Sequence, residues 1–205
     1  RAGFPLIHVE PLRAYVHLFP VAKAQFERFL WQQNDPEWGD GRYAELLEFN
    51  PRVSPEDVGA QMYERLFLTG MVPDEVSQFA RWLGRGFDLL NPHEWQVAHA
   101  WLGQREATPA PSELMSMGLS NIAANMWRAL WTELRPASML ELSLLEGGVI
   151  EWVFDSSAPP SRRHLGMGRP RSSFFPTVKS ANKPLVPINP NRRMRHFGFR
   201  LKGRS

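Results

Sequence analysis

Six histidines, His8, His17, His93, His99, His164 and His196, are the side chains best suited to acid–base or metal chemistry near neutral pH. They are scattered along the 205 residues, with no His-x-x-x-His pair to set two imidazoles on one helix face, so a facial metal triad has no support in the spacing. The chain has no cysteine, which removes disulfides, thiolate metal sites, iron–sulfur clusters and cysteine nucleophiles together. It also leaves the compartment open, with the cytoplasm as the working expectation. Carboxylates are paired at Asp35 and Glu37, at Glu56-Asp57 and at Asp74-Glu75. Each pair lies at a turn or a helix start, where an acid favours the helix dipole, so these read as caps rather than as catalytic acid and base. No serine sits in a nucleophile-elbow pattern. Gly166-Met167-Gly168-Arg169 lacks the Lys-Ser/Thr and the following helix of a phosphate-cradling loop.

Charge is the stronger signal. Residues 1–155 hold 12 Lys/Arg against 21 Asp/Glu, whereas residues 156–205 hold 12 Lys/Arg and no acid, within a net charge of +3. The basic quarter is densest at Arg192-Arg193-Met194-Arg195-His196. Either it is an arm that grips anions or nucleic acid, or it folds back so that its arginines meet carboxylates of the acidic body. Its Phe174, Phe175, Val178, Leu185, Val186, Ile188, Phe197, Phe199 and Leu201 favour the second reading, since a disordered basic tail is poorer in such residues.

The elements that must position these residues follow from periodicity. Leu6–Val9 and Ala14–Phe19, broken by Pro5, Pro11 and Pro20, read as short strands. From Val21, helical spacing places Ala22, Phe26, Phe29 and Leu30 on one stripe. Residues 37–51 read as a loop enclosing a short helical turn, and Ser54-Pro55 starts a helix to about Leu66. Asp74–Leu83 is a helix with Val76, Phe79, Ala80 and Leu83 inward, stopped at Gly84 and Gly86. Asn91-Pro92-His93-Glu94 caps the next, from Pro92 to about Leu102. Ser120–Leu134 is a further helix, and residues 140–145 and 149–154 read as two strands around a tight turn. Phe197–Leu201 is a last strand. With 43% apolar residues and eight Trp, the chain is expected to form one α+β domain over 1–205, an acidic body of 1–155 carrying a loop-rich basic segment of 156–205. No apolar run approaches the ~20 residues of a membrane span, so no membrane association is expected. The start, without Met or a signal layout, reads as a domain cut from a longer chain or complex.

Four blocks in order carry a resemblance. They are Pro20-Val21-Ala22-Lys23-Ala24-Gln25-Phe26-Glu27-Arg28-Phe29, then Ala80-Arg81-Trp82-Leu83-Gly84 with Leu89-Leu90-Asn91-Pro92-His93-Glu94-Trp95, then Leu145-Glu146-Gly147-Gly148-Val149-Ile150-Glu151-Trp152-Val153, and finally Gly198-Phe199-Arg200-Leu201. Together they resemble the formylglycine-generating-enzyme-like family, or sulfatase-modifying-factor domain, whose fold is a variant of the C-type lectin fold. Trp82, Trp95 and Trp152 then read as core anchors.

The resemblance implies function mainly through departures from it. Oxygen-dependent members hold copper(I) with two cysteines, and this chain has none. In the family the turn of the third block holds a structural calcium through an Asn, backbone carbonyls and a Glu; here Gly148 replaces the Asn. Val149 and Glu151 remain as calcium candidates, but no cofactor is expected, and Glu151 instead reads as a buried partner for Arg171 or Arg200. The implied function is a non-catalytic ligand- or protein-binding module. Some members are recognition or regulatory parts of larger bacterial signalling or defence proteins; others carry retroelement-diversified C-terminal segments. Candidate contact residues are Arg169, Arg171, Phe174, Phe175, Asn182, Asn191, Arg192, Arg193, Arg195 and His196, for a protein partner or another anionic ligand. The alternatives are a divergent metal-dependent oxidase or oxygenase, and nucleic-acid binding through the basic segment.

Overall fold

The computed structural model describes residues 5–33, 40–49, 67–107, 131–132, 134–170 and 181–204. Strand β1 (Leu6–Val9) and strand β2 (Ala14–His17), read as short strands, pair as an antiparallel hairpin registered from Leu6 opposite His17 to Val9 opposite Ala14. Helices α1 (Lys23–Gln33) and α2 (Asp40–Phe49) follow, then α3 (Pro73–Leu83), strand β3 (Asp88–Leu89) and α4 (Pro92–Gly103). After the short α5 (Met139–Ser143) come β4 (Glu146–Gly147), β5 (Ile150–Phe154), β6 (His164–Met167), β7 (Arg169–Pro170), β8 (Phe197–Gly198) and β9 (Leu201–Arg204). The structure is thus mixed α+β. Its strands form a four-stranded sheet in the order β1-β2-β9-β3, a three-stranded sheet β6-β5-β8 and a parallel pair β4-β7.

Where local signals agree with burial, the elements lie as read. Asn91 accepts a hydrogen bond from the Glu94 N–H at 2.8 Å, and Glu94 returns one from the Asn91 N–H at 2.8 Å, so the start of α4 is doubly capped with Pro92 in its first position. The stripe Val76, Phe79, Ala80 and Leu83 of α3 is buried, and Gly84 and Gly86 stop the helix with φ of 141° and 107°.

Three expectations are corrected. Residues 40–49 form a full helix rather than a turn, because Gly39-Asp40-Gly41 precedes a run of helix formers that buries Leu46. Met139–Ser143 is helical rather than a strand: Ser138 accepts from the Glu141 N–H and Glu141 accepts from the Ala137 N–H, a cap that the apolar run obscured. In consequence β4 pairs in parallel with β7, not with β5, and β5 lies between β6 and β8. The expected last strand is also divided, Phe197–Gly198 joining β5 and Leu201–Arg204 joining β2 and β3. The helices read at 54–66 and 120–134 fall largely outside the described residues; Trp131, Thr132 and Leu134 are helical.

Two apolar clusters fill the interior. One gathers Val16, Leu18, Trp95, Leu102, Leu142 and Met167; the other gathers Phe26, Phe29, Phe79, Trp152, Phe199 and Leu201. Trp95 and Trp152 are buried as expected, whereas Trp82 is half-buried, packed edge-on against Phe29. Arg200, 1% exposed, lies among this apolar packing. Its Nε donates to Glu151 Oε1 and Oε2 at 2.8 Å each, and Nη2 donates to Oε1 at 2.6 Å. Nη1 donates to the carbonyls of His17 and Leu18, and Nη2 also to that of Ser143. The Trp95 indole N–H supplies Glu151 Oε2 at 2.9 Å. Every guanidinium hydrogen therefore has an acceptor, the condition under which a buried ion pair offsets its desolvation.

Removing Arg200 leaves Glu151 charged and unmatched in the core. Arg200→Leu is expected to cost about 3–5 kcal/mol in urea unfolding. The double variant Arg200→Leu/Glu151→Leu should recover only part of this, because three carbonyls lose their donors. Full additivity of the two losses would contradict the pairing.

His17 lies beside this network, buried against Phe87 with ring centroids 5.8 Å apart. Burial, and secondarily the Arg200 charge, lowers its pKa from 6.5 to about 3. The unfolded chain therefore binds more protons between these values, so the stability from neutral His17 is complete above about pH 6.5 and falls as pH drops toward 3. Lowering pH from about 7.5 to about 5 is expected to remove on the order of 2 kcal/mol through this residue. His17→Phe should flatten that part of the pH–stability curve, and an unchanged slope in the variant would contradict it.

Candidate functional site

The basic segment is pinned at defined points, first to its own strand β6 and the turn after it, then to the acidic body. Gly166 and Leu185 exchange two backbone hydrogen bonds of 2.8 Å, and Gly168 N–H donates to the Ala181 carbonyl. The Gln96 amide of α4 donates to the Asn182 carbonyl at 2.9 Å. Lys202 Nζ is held by the Glu94 carboxylate, 2.6 Å from Oε2. Arg193 forms the most extended junction: a fork onto Glu75 at 2.7 and 2.8 Å, a bond to Glu45 at 3.2 Å and one to the Gly70 carbonyl at 3.1 Å. It ties the segment to α2 and α3 at once. Burial works to lower the Arg193 pKa, but its bonds and charge interactions with Glu75 and Glu45 prevail and hold it above the ordinary arginine value.

Arg193, expected as a contact residue, is therefore committed internally. Its neighbours are not: Asn191, Arg192 and Arg195 are exposed, and the Arg195 guanidinium lies over the Phe49 ring at 5.8 Å. Asn191, Arg192 and Arg193 line an open cleft of ≈ 810 Å³, whose other walls are Glu45, Glu48 and Phe49 of α2 with Val72 and Glu75 at the start of α3. The C-terminal cluster and two helix ends thus form one concavity with carboxylates, guanidinium groups and an apolar wall. His196 is half-buried, its carbonyl accepting from Ile150 N–H. Asn182 and Arg169 are exposed but are not among the residues lining the cleft. Arg171, Phe174 and Phe175 lie outside the described residues.

The α2 wall is not visible in the sequence, where residues 37–51 read as a loop enclosing a short helical turn. The tip of the returning segment is not singled out there as a contact surface either. Between Pro184 and Pro190, Ile188 is fully exposed and Val186 is 55% exposed. The signal was the proline at every third position, 184, 187 and 190, which fixes φ and withholds the N–H groups that a strand would pair.

The calcium candidates do not come together as a cation site. Both Glu151 oxygens accept from Arg200 and one also from Trp95, so a hard cation would have to displace a guanidinium. At Gly148 an added Cβ would lie 2.4 Å from the Leu144 carbonyl oxygen, leaving no room for an Asn without moving the turn. The Val149 carbonyl lies against Gly168, where a Cβ would approach it to 3.0 Å. Four of the six histidines lie on separate rings: His8 on Tyr15, His17 on Phe87, His99 on Trp95 and His164 on Phe154.

Compared with models of known families and with curated proteins, the chain matches none.

Arg193→Ala is expected to destabilise the fold by about 2 kcal/mol by leaving buried Glu75 without its fork. It should also speed amide exchange across residues 189–197. Arg192→Ala, on an exposed side chain, should stay within about 0.5 kcal/mol of the parent. Equal losses for the two variants would contradict the division between them.

Proposed function

We propose that this chain is a non-catalytic protein-binding module with a formylglycine-generating-enzyme-like, C-type-lectin-like scaffold, and that residues 182–196 are its recognition surface. The observation that carries the reading is the contrast within that segment. Its base is locked by Leu185 and Arg193, while Val186, Ile188, Arg192 and Arg195 face solvent beside an open cleft. Exposed Arg side chains beside apolar ones on a loop held at both ends favour protein recognition, since Arg is a common anchor and little ordering entropy is lost when a fixed loop binds.

The scaffold part of the proposal is supported by where the four sequence blocks meet. Trp95 from the second, Glu151 from the third and Arg200 from the fourth share one buried network. The first block joins through Val21, whose N–H donates to the Phe199 carbonyl, just beyond the Leu18 carbonyl that accepts from Arg200. The residues that carry the resemblance are thus those that build a common interior. In a larger signalling or defence protein such a module would supply recognition or regulation while other domains supply chemistry.

The test is affinity capture from source lysate with the intact chain as bait, beside Arg192→Glu/Arg195→Glu. Both arginines are exposed, so the fold should persist, whereas changing Arg193 would disturb the fold itself. A specific partner retained by the parent and reduced at least tenfold by the variant supports the reading. An identical partner list for both baits overturns the assignment to residues 182–196.

A further inference from the structure

We infer that this surface binds a second copy of the chain, the Val186–Ile188 tip of each copy entering the cleft beside Glu48 of the other. The inference rests on the reading of residues 182–196 as a recognition surface and names its occupant.

The tip is an apolar knob held away from its own core. Ile188 and Val186 are exposed although the segment is fixed on both sides, by the Leu185–Gly166 pair before them and by the Arg193 fork after them. An Asn189 side chain accepting from the Asn191 N–H at 2.9 Å, and an Arg192 N–H donating to the Asn189 carbonyl, turn the chain immediately beyond Ile188. Prolines 184, 187 and 190 stiffen what lies between. The knob is therefore pre-shaped, and its rim is cationic, with exposed Lys183 and Arg192 and no acid anywhere in 156–205.

The cleft is mixed, with Arg192 and Arg193 on one side and an apolar and anionic side facing them. Half-buried Phe49 and Val72 give it apolar walls, and Glu45 and Glu48 give it an exposed anionic edge. Arg193 already matches Glu75 and touches Glu45, whereas Glu48 makes no ion pair among the described residues. An apolar knob with a cationic rim and an apolar-walled cleft with an anionic edge are the two halves of one contact. They are also neighbours on one face, since Asn191 and Arg192 line the cleft while following the tip by a few residues. A two-fold axis near these shared residues would seat both knobs at once, which is the closed, self-complementary arrangement of an isologous dimer. The same exposed Glu45 and Glu48 disfavour an anionic bilayer or nucleic acid as the occupant, because they would face its phosphates.

Sedimentation velocity of the intact chain, from low micromolar to several hundred micromolar, tests this. The parent should shift from monomer to dimer. Ile188→Glu should remain monomeric with an unchanged circular dichroism spectrum. Arg192→Glu and Glu48→Arg should each weaken dimerisation about tenfold or more, and combining them should restore it, because the pair is then re-formed with reversed sign. A parent that stays monomeric throughout overturns the inference, as does a dimer indifferent to Ile188. Ile188-dependent capture of the parent by phosphatidylserine vesicles, without self-association, would overturn it in favour of a membrane. None of these results decides the affinity-capture test, so failure of the dimer and failure of the recognition surface remain distinguishable.

Discussion

The structure depends on one buried ion pair being completely satisfied. Two charges in a protein interior cost several kcal/mol each in lost hydration, and Coulomb attraction alone seldom offsets this. Arg200 meets the cost because its planar fork finds a carboxylate on one side and the carbonyls of His17, Leu18 and Ser143 on the other, while Trp95 covers an oxygen that the fork shares. Such a constellation has little tolerance for alternatives. A register shift in β5 or β9 would strand a charge, so the pair acts less as a source of stability than as a specification of how β2, α4, α5, β5 and the chain's last strand must meet. Because Arg200 lies 183 residues beyond His17, this part of the interior cannot close until that strand has arrived.

The same constraint explains the uneven charge. An acidic body beside a basic C-terminal quarter looks like a domain with an arm, but the acids and bases are partners divided by sequence. Glu151, Glu94 and Glu75 receive Arg200, Lys202 and Arg193 from the segment. In two of these pairs the carboxylate also serves its own backbone: Glu94 accepts from the Asn91 N–H and Glu75 from the Val72 N–H, each at a helix start. A carboxylate already oriented by a helix start loses little further entropy when it binds a cation, which favours these residues as docking points.

Legibility followed the strength of local signals. The capping box at Asn91 and Glu94, the apolar stripe of α3 and the two proline-bounded strands, though not their pairing, could be read because local preference and burial agree there. Glu151 could be read as a buried partner for Arg171 or Arg200, the sequence blocks bringing it near without choosing between them. Residues 140–145 misled because an alternating apolar run has a strand's period, while the cap that makes it helical rests on two local contacts of Glu141, with Ser138 and with the Ala137 N–H. The parallel β4–β7 and β5–β8 pairings were out of reach, since register between distant segments leaves no local trace. The cleft was half legible: its basic wall stood out as a cluster, but its acidic wall required knowing that α2 is a helix and that Arg193 folds onto it.

Adjacent arginines with opposite fates connect the fold to recognition. A charge cluster in a sequence does not say which members are structural, and treating Arg192, Arg193 and Arg195 as equivalent would confuse the support of a surface with the surface itself. Arg193 points inward and is consumed by two helices, and this fixes the backbone from which Arg192 and Arg195 project. Leu185 plays the same part for the exposed Val186 and Ile188 through its pairing with Gly166, where a Cβ would come within 2.6 Å of Ile150 and 2.7 Å of Phe197. Gly166 is therefore needed for β6 to lie close over Ile150 and Phe197, and from that position its backbone pairs with Leu185. Variation at Val186, Ile188, Arg192 and Arg195 changes what the surface offers, whereas variation at Leu185, Gly166 or Arg193 changes whether the surface exists. A segment with this alternation can change its exposed side chains without renegotiating the core, because its supporting contacts and its exposed side chains are different residues.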